Sequence, residues 1–269
     1  GAILTDEIVD FIANGDATIH SDLYSIRHDL KDAKLLGSII ELQPVNFEKI
    51  YQRIEDIKGE YYSDIFEQIN QKIVVEEALP IIEQAQTMSI NYEVVVTNPP
   101  YMAAKYMPAA LKTYVADKYA DYKADLFATF IVRCKKMCAP YGHLGFLTPY
   151  VWMFIQSYDK LRKFILNNMT FSSIVQLEYN AFEAAMVPVG IYTFRNYFSD
   201  IPFEGIRLSD FKGINVQATK VLEAINNEYC GYRYNTKQSN FQKIPGSSIA
   251  YWANESIINK FEQTKIGDF

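Results

Sequence analysis

The segment that most restricts the fold of this chain is Tyr92-Glu-Val-Val-Val-Thr97, a β-branched run that stops abruptly on Asn98-Pro99-Pro100-Tyr101. Three adjacent valines favour a strand, and the prolines after them can neither donate to a ladder nor continue a helix. The run is therefore predicted to be a buried strand that ends at a loop. On either side the apolar period is helical. Residues 4 to 89 read as mostly helix, with Thr5 and Ser21 as N-caps, Asn46 opening Phe47, Ile50, Tyr51, Ile54 and Ile57 at helical spacing, and one long helix from 63 to 86. Beyond the loop, 125–137 predicts an amphipathic helix closed by Ala139-Pro140-Tyr141-Gly142, followed by strands at 143–148, 172–177 and 187–194 and a helix at 158–167. This alternation implies an α/β sheet, largely parallel, with the last two strands close enough to form an antiparallel pair. Past Asp200 the pattern is irregular, with helices at 216–227 and 255–263.

Charge is distributed unevenly along the 269 residues. Residues 1–100 carry 7 basic and 18 acidic side chains, 101–170 carry 10 and 4, and 171–269 carry 9 and 10, so the formal net charge of −6 conceals a basic centre. Lys105, Lys112, Lys118, Lys123, Arg133, Lys135, Lys136, Lys160, Arg162 and Lys163 form either a phosphate-facing surface or solvated helix faces. Tyr114, Tyr119 and Tyr122 beside these lysines suit a nucleic-acid surface or a core edge. No apolar run approaches the length of a membrane span, so no membrane partner is expected. Three cysteines, an odd and sparse set, are expected to be reduced thiols in a cytoplasmic protein. The histidines share no ligand spacing with them, so no metal is expected.

Asn-Pro-Pro-Tyr directly after an apolar strand carries the chemistry. Active sites of open α/β sheets lie at the carboxyl ends of strands, and the motif sits there. Two readings are open. In one, Asn98 caps and Tyr101 packs in a plain strand-to-helix turn. In the other, the loop receives a planar NH₂ group. An exocyclic amine attacks a methyl donor poorly because its lone pair is delocalised into the ring; acceptors placed on its two hydrogens favour the required change toward sp³. The Asn98 side-chain oxygen and the Pro99 carbonyl can each accept one such bond, while Pro99 and Pro100 stiffen the loop and remove competing donors. Tyr101 can stack on the base and hold it in line. A base inside a duplex cannot reach such a loop and would have to flip out.

With these residues the chain resembles the S-adenosylmethionine-dependent amino-methyltransferases that carry Asn-Pro-Pro-Tyr, and within them the adenine-specific DNA methyltransferases. Ala124-Asp-Leu-Phe-Ala-Thr-Phe-Ile131 is similar to the helix after the motif, His143-Leu-Gly-Phe-Leu-Thr-Pro149 to the next strand, and Phe182-Glu-Ala-Ala-Met-Val-Pro-Val-Gly190 to a later loop whose aromatic stacks on the flipped base. Asp32-Ala-Lys-Leu-Leu-Gly-Ser38 and Ile244-Pro-Gly-Ser-Ser-Ile-Ala-Tyr-Trp252 resemble segments of the large methyltransferases of BREX phage-defence and type II restriction-modification systems. The resemblance implies a partial Rossmann-like methyltransferase sheet: a helical segment 1–89, the catalytic half of an α/β domain at 90–200, and a small C-terminal extension 201–269 leading toward a target-recognition domain. It implies Asn98, Pro99, Pro100 and Tyr101 as catalytic residues, Phe182 and Lys105 as substrate-binding residues, and double-stranded DNA and restriction or defence subunits as partners. For Phe182 core packing is the alternative. Asp125 either faces the cofactor, S-adenosylmethionine, or is a helix-start carboxylate.

One family feature is missing from the sequence. A glycine-rich loop after the first strand should cradle the cofactor, yet no two glycines here are separated by a single residue. Half of the active site is therefore expected to lie outside these residues, and the chain alone is expected not to bind S-adenosylmethionine measurably. The strand at Tyr92–Thr97 would then be a free apolar edge, expected to be covered by an N-terminal segment or by a second copy of the chain. The motif alone does not distinguish DNA from an RNA base or a protein glutamine amide, and a non-catalytic DNA-binding or assembly module is the alternative of a different class.

Overall fold

The structure is a computed structural model, and it describes residues 4–179 and 187–263. The chain divides into two units, Gly1–Ile90 and Asn91–Phe269. The first is helical, built from α1 (Asp6–Ala13), α2 (Ala17–Asp29), the short α3 (Ala33–Leu36), α4 (Phe47–Gly59), α5 (Ile65–Ile73) and α6 (Leu79–Ser89). Ile8, Ile12, Leu23, Ile50, Ile54 and Ile82 lie in its core, as apolar residues at helical spacing should. Thr5 caps α1 by accepting from Ile8 N, and Asn46 caps α4 by accepting from Lys49 N. Ser21 is not a cap. α2 begins earlier, on Asp16, whose carboxylate accepts from Thr18 N at 2.8 Å and Ile19 N at 3.2 Å, and a negative group is favoured at the positive end of a helix. The long helix expected from 63 to 86 is α5 and α6 joined through a π-helical turn, Val74–Ala78. Pro80 explains the widening: it has no N–H for the preceding turn, and its ring would clash with the carbonyl four residues back.

The second unit is built on a six-stranded sheet in the order β1-β2-β4-β3-β5-β6. The strands are β1 (Tyr92–Thr97), β2 (Cys138–Pro149), β3 (Thr170–Gln176), β4 (Val189–Arg195), β5 (Pro202–Arg207) and β6 (Arg233–Lys237). β1 with β2 and β3 with β5 run parallel, whereas β4 lies antiparallel between β2 and β3, and β6 is antiparallel to β5. The antiparallel β3–β4 pair matches the close spacing of those strands in sequence. The sheet as a whole is mixed, because β4 enters in the reverse direction between two strands that precede it. β2 also starts earlier than its apolar run. Residues Ala139 to Gly142 do not close the preceding helix in a turn but form a bulge in β2, where the register jumps between Tyr92 and Val94 of β1. Gly142 is required there, since a Cβ would lie 2.6 Å from Glu93 O.

The region beyond Asp200 is more regular than its pattern suggests, for it supplies β5 and β6. Neither carries a β-branched run, and Gly205 interrupts β5 because the ring of Tyr251 lies against it; a Cβ would fall 2.3 Å from Tyr251 Cδ2. Helices flank or follow the strands: α7 (Ala109–Lys118), α8 (Leu126–Met137), α9 (Asp159–Asn168) and α10 (Ile214–Asn226), with α11 (Ser239–Gln242) and α12 (Glu255–Gln263) near the end. Leu144, Phe146, Ile174, Tyr192 and Phe194 are buried on one face of the sheet. On the other face Val94, Val96 and Ile191 are 60%, 74% and 41% exposed. β1 is an edge strand, and among the described residues no strand pairs with its free side.

Candidate active site

The parallel pairing of β1 and β2 places Thr97 and Leu147 at the same end of the sheet, so the motif loop emerges at the carboxyl ends of both strands. Pro99 is buried, while Asn98 and Pro100 are exposed. Tyr101 is partly buried and packs against the cluster of Leu177, Val189, Ile206 and Leu208. Its hydroxyl lies 2.8 Å from Asn98 Oδ1 and 3.0 Å from Leu147 O. A hydroxyl has one proton, so it donates to one of these oxygens at a time. If it donates to Leu147 O, turning the Asn98 amide over lets Nδ2 donate to the phenol oxygen and leaves Oδ1 open toward solvent. Burial raises the Tyr101 hydroxyl above its ordinary value of 10.0, so at neutral pH it remains a donor.

The loop is tied down a second time by α8. Asp125 is the N-cap of that helix: its Oδ1 accepts from Phe127 N at 3.2 Å and also from Met102 N at 2.9 Å, one residue beyond the motif. Leu126 N donates to Met102 O at 3.0 Å and Ala104 N to Ala124 O at 3.1 Å, so the chain leaving the motif is stitched antiparallel to the start of α8. Asp125 thus takes the helix-start role. Burial raises its carboxyl above 3.8, opposed by the backbone donors of Phe127 and Met102. The half-buried Tyr158 hydroxyl is pushed up to about 12 by desolvation and by the nearby Asp125 carboxylate. Tyr101 meets Phe127 edge-on at 6.4 Å, and Phe127 meets Tyr158 at 5.5 Å. Three rings therefore brace the loop against the body of the unit.

Of the residues expected at the site, the structure brings Asn98, Pro99, Pro100, Tyr101 and Asp125 together. Lys105 is exposed a few residues along, its ammonium over the Tyr106 ring at 4.7 Å. Phe182 lies outside the described residues. The Leu147 carbonyl was not foreseeable, because a backbone oxygen carries no sequence signal until the neighbouring strand is known. Phe127 and Tyr158 were legible only as apolar positions of helices.

The glycines of the sheet test whether these residues can also cradle a nucleoside cofactor. Each is filled by its own neighbours: beside the contacts at Gly142 and Gly205, a Cβ at Gly190 would meet the Tyr192 hydroxyl at 2.6 Å, and one at Gly145 would meet Val96 Cγ2 at 3.3 Å. None is an open backbone surface on which a ribose or a charged tail can rest. The sheet glycines thus offer no cradle for a nucleoside cofactor. Among the described residues there is also no group of His, Cys, Asp and Glu that could hold a metal ion, and no helix long and apolar enough to cross a membrane.

Comparison with known proteins supplies the family. The sequence pattern described as Eco57I restriction-modification methylase matches residues 20–182. The chain is 31% identical over 257 residues to the adenine-specific methyltransferase BrxX of Escherichia coli O9:H4 (strain HS), covering 93% of this chain and 20% of that protein. It is 32% identical over 230 residues to the adenine-specific methyltransferase PglX of Lacticaseibacillus casei (strain Zhang), covering 82% and 19%. Over 107 residues it is 32% identical to the type II restriction enzyme and methyltransferase RM.Eco57I of Escherichia coli, covering 35% and 11%. The chain thus spans about a fifth of the length of the first two relatives.

Proposed function

The chain belongs to the Eco57I restriction-modification methylase family, and from that premise we propose that it forms the amine-binding half of an adenine-N6 DNA methyltransferase acting in bacterial restriction or phage defence. The observation that carries this reading is the exposed Asn98 side chain at the carboxyl end of β1, its amide end held 2.8 Å from the Tyr101 hydroxyl. With Tyr101 donating to Leu147 O and the Asn98 amide turned so that Nδ2 donates to the phenol oxygen, Oδ1 is available for one N–H of a flipped adenine, and the Pro99 carbonyl for the other. Two fixed acceptors draw the amine nitrogen toward sp³ and free its lone pair for attack. Proline at 99 and 100 holds the acceptors rigidly and offers no N–H that would compete for them. Tyr101, fixed at its hydroxyl and at its edge against Phe127, presents a ring for stacking on the base. None of the sheet glycines offers a cradle for the methyl donor, S-adenosylmethionine, so this reading concerns the amine side of the transfer. Double-stranded DNA and the subunits of a defence system are the partners of the intact enzyme, and the bare edge of β1 is where further strands or a second copy add to the sheet.

The test is the N6-methyladenine content of DNA from hosts carrying the intact gene, the same gene with Asn98→Ala, or neither. Mass spectrometry of digested nucleosides should find the modified base only with the intact gene. Equal N6-methyladenine from the Asn98→Ala gene, or methylation confined to RNA or protein, refutes the reading.

A further inference from the structure

Two adjoining clefts open on the basic part of the chain. The first, about 470 Å³, lies between α7 and residues 120–124, and Ala104 and Ala124 belong to its lining. These are the two residues whose backbone bond stitches the outgoing motif loop to the start of α8, so this cleft begins where the loop ends. The second, about 700 Å³, runs along residues 154–163 and 245–248. Ser157 and Lys160 line both, so the two clefts adjoin at these side chains and are taken together as one channel.

Its charge is one-sided. Lys112, Lys123 and Lys160 line the first part, and Lys160, Arg162 and Lys163 the second; among the described residues the acidic groups on the walls are Asp121 and Asp159. Asp121 pairs with Lys160, and Asp159 with Lys163 at 2.8 Å. Arg162 is buried and donates to Trp152 O, Ile155 O and Gly246 O at 2.7–2.8 Å. It donates no hydrogen bond to a carboxylate among the described residues, although Asp159 is near enough to interact with its charge. Lys112 and Lys123 are exposed, and no ion pair is formed by either among the described residues. The wall between them is made of small apolar side chains, Ala116, Ala120 and Val115 among them. In this first part, cations beside an apolar wall suit a sugar-phosphate strand better than base edges, which need hydrogen-bonding groups at the wall.

We propose that this channel is the track for one sugar-phosphate strand of duplex DNA, gripping the backbone next to the nucleotide that enters the Asn98 loop. The proposal rests on the DNA-methyltransferase reading above. Its physical role follows from base flipping: the flipped nucleotide turns about its backbone, and phosphates held beside it fix the pivot.

The experiment measures binding of the full chain to a fluorescent random-sequence duplex by anisotropy across a salt series. Every phosphate that a variant no longer neutralises makes the slope of log K against log salt shallower by about 0.9, so Lys112→Gln/Lys123→Gln should reduce it by about 1.8. Between about 50 and 200 mM salt the double variant's affinity should then fall ~12-fold less than that of the wild type. Lys112→Arg/Lys123→Arg should keep the wild-type slope, as should the remote pair Lys212→Gln/Lys237→Gln, all with unchanged circular dichroism. A wild-type slope in Lys112→Gln/Lys123→Gln overturns the track while leaving the DNA reading intact. Absence of salt-dependent duplex binding by the wild type, or tighter binding of a single-stranded RNA of equal length, overturns the track too. Failure of the DNA reading itself appears separately, as N6-methyladenine in host DNA that does not respond to Asn98→Ala.

Discussion

Replacing Asp125 with alanine should loosen the motif loop and α8 together, because one carboxylate oxygen serves both. Oδ1 accepts from Phe127 N at 3.2 Å and from Met102 N at 2.9 Å. Loss of the cap costs about 1 kcal/mol. Leaving the part-buried Met102 N–H without a partner costs about 1–2 kcal/mol more. The sum, about 2–3 kcal/mol, corresponds to a fall of roughly 5–10 °C in the melting temperature of a unit of this size. Asparagine keeps an oxygen in the same place and caps as well as aspartate, so Asp125→Asn should stay within about 0.5 kcal/mol of the wild type. The charge adds a pH signature. Burial raises the folded carboxyl above 3.8, so the folded chain takes up this proton more readily than the unfolded one. Ionisation therefore disfavours folding, and the wild type should lose stability relative to Asp125→Asn as pH rises from 3.8 through the raised value. Both tryptophans, Trp152 and Trp252, belong to the second unit, so their fluorescence during urea unfolding reads that unit by itself. Stability of Asp125→Ala within about 0.5 kcal/mol of wild type, or an equal loss in Asp125→Asn, would refute the reasoning.

Tyr101→Phe keeps the ring and removes the donor to Leu147 O; stability should fall by about 1 kcal/mol in urea, and methyl transfer by the intact enzyme by roughly ten- to a hundred-fold in kcat. An unchanged kcat contradicts the role given to the hydroxyl. Gly205→Ala drives a methyl group against the Tyr251 ring and should destabilise by about 1–3 kcal/mol, with a smaller penalty once Tyr251 is shortened to leucine; additive penalties in the double variant rule out that clash. Thiol labelling should order the cysteines. Burial pushes the Cys134 thiol up to about 12, whereas Cys230 is only half-buried, so maleimide near neutral pH should modify Cys230 first and Cys134 only on unfolding. Peptide mass spectra showing equal rates would disprove it.

Legibility differed sharply between segments. The β1 run was legible because three β-branched residues bounded by prolines leave the backbone few alternatives. α4 and α8 were legible because their apolar residues repeat at helical spacing over several turns. Ser21 misled because a hydroxyl before an apolar run looks like a cap, while Asp16 competes for the same helix from an earlier position. β5 and β6 were hidden for a different reason. Gly205 is small to admit Tyr251, forty-six residues later, and Arg233 faces Glu204 at 2.9 Å; tertiary partners stand in for the local pattern that a strand usually shows.

Within the candidate site, the residue types that meet an amine were local information. Asparagine, two prolines and a tyrosine in succession after a strand restrict conformation and chemistry within four positions, and the segregation of charge along the chain is likewise a property of order alone. Tertiary structure decided which atoms those residues face. Leu147 O receives the Tyr101 hydroxyl because β2 lies parallel to β1, and Lys112 and Lys123 share a cleft with Lys160 because α7 and the start of α9 border it. The physical reason is range. Backbone preference acts over a few residues, whereas hydrogen-bond partners and the field at a cleft depend on which distant segments the sheet brings side by side.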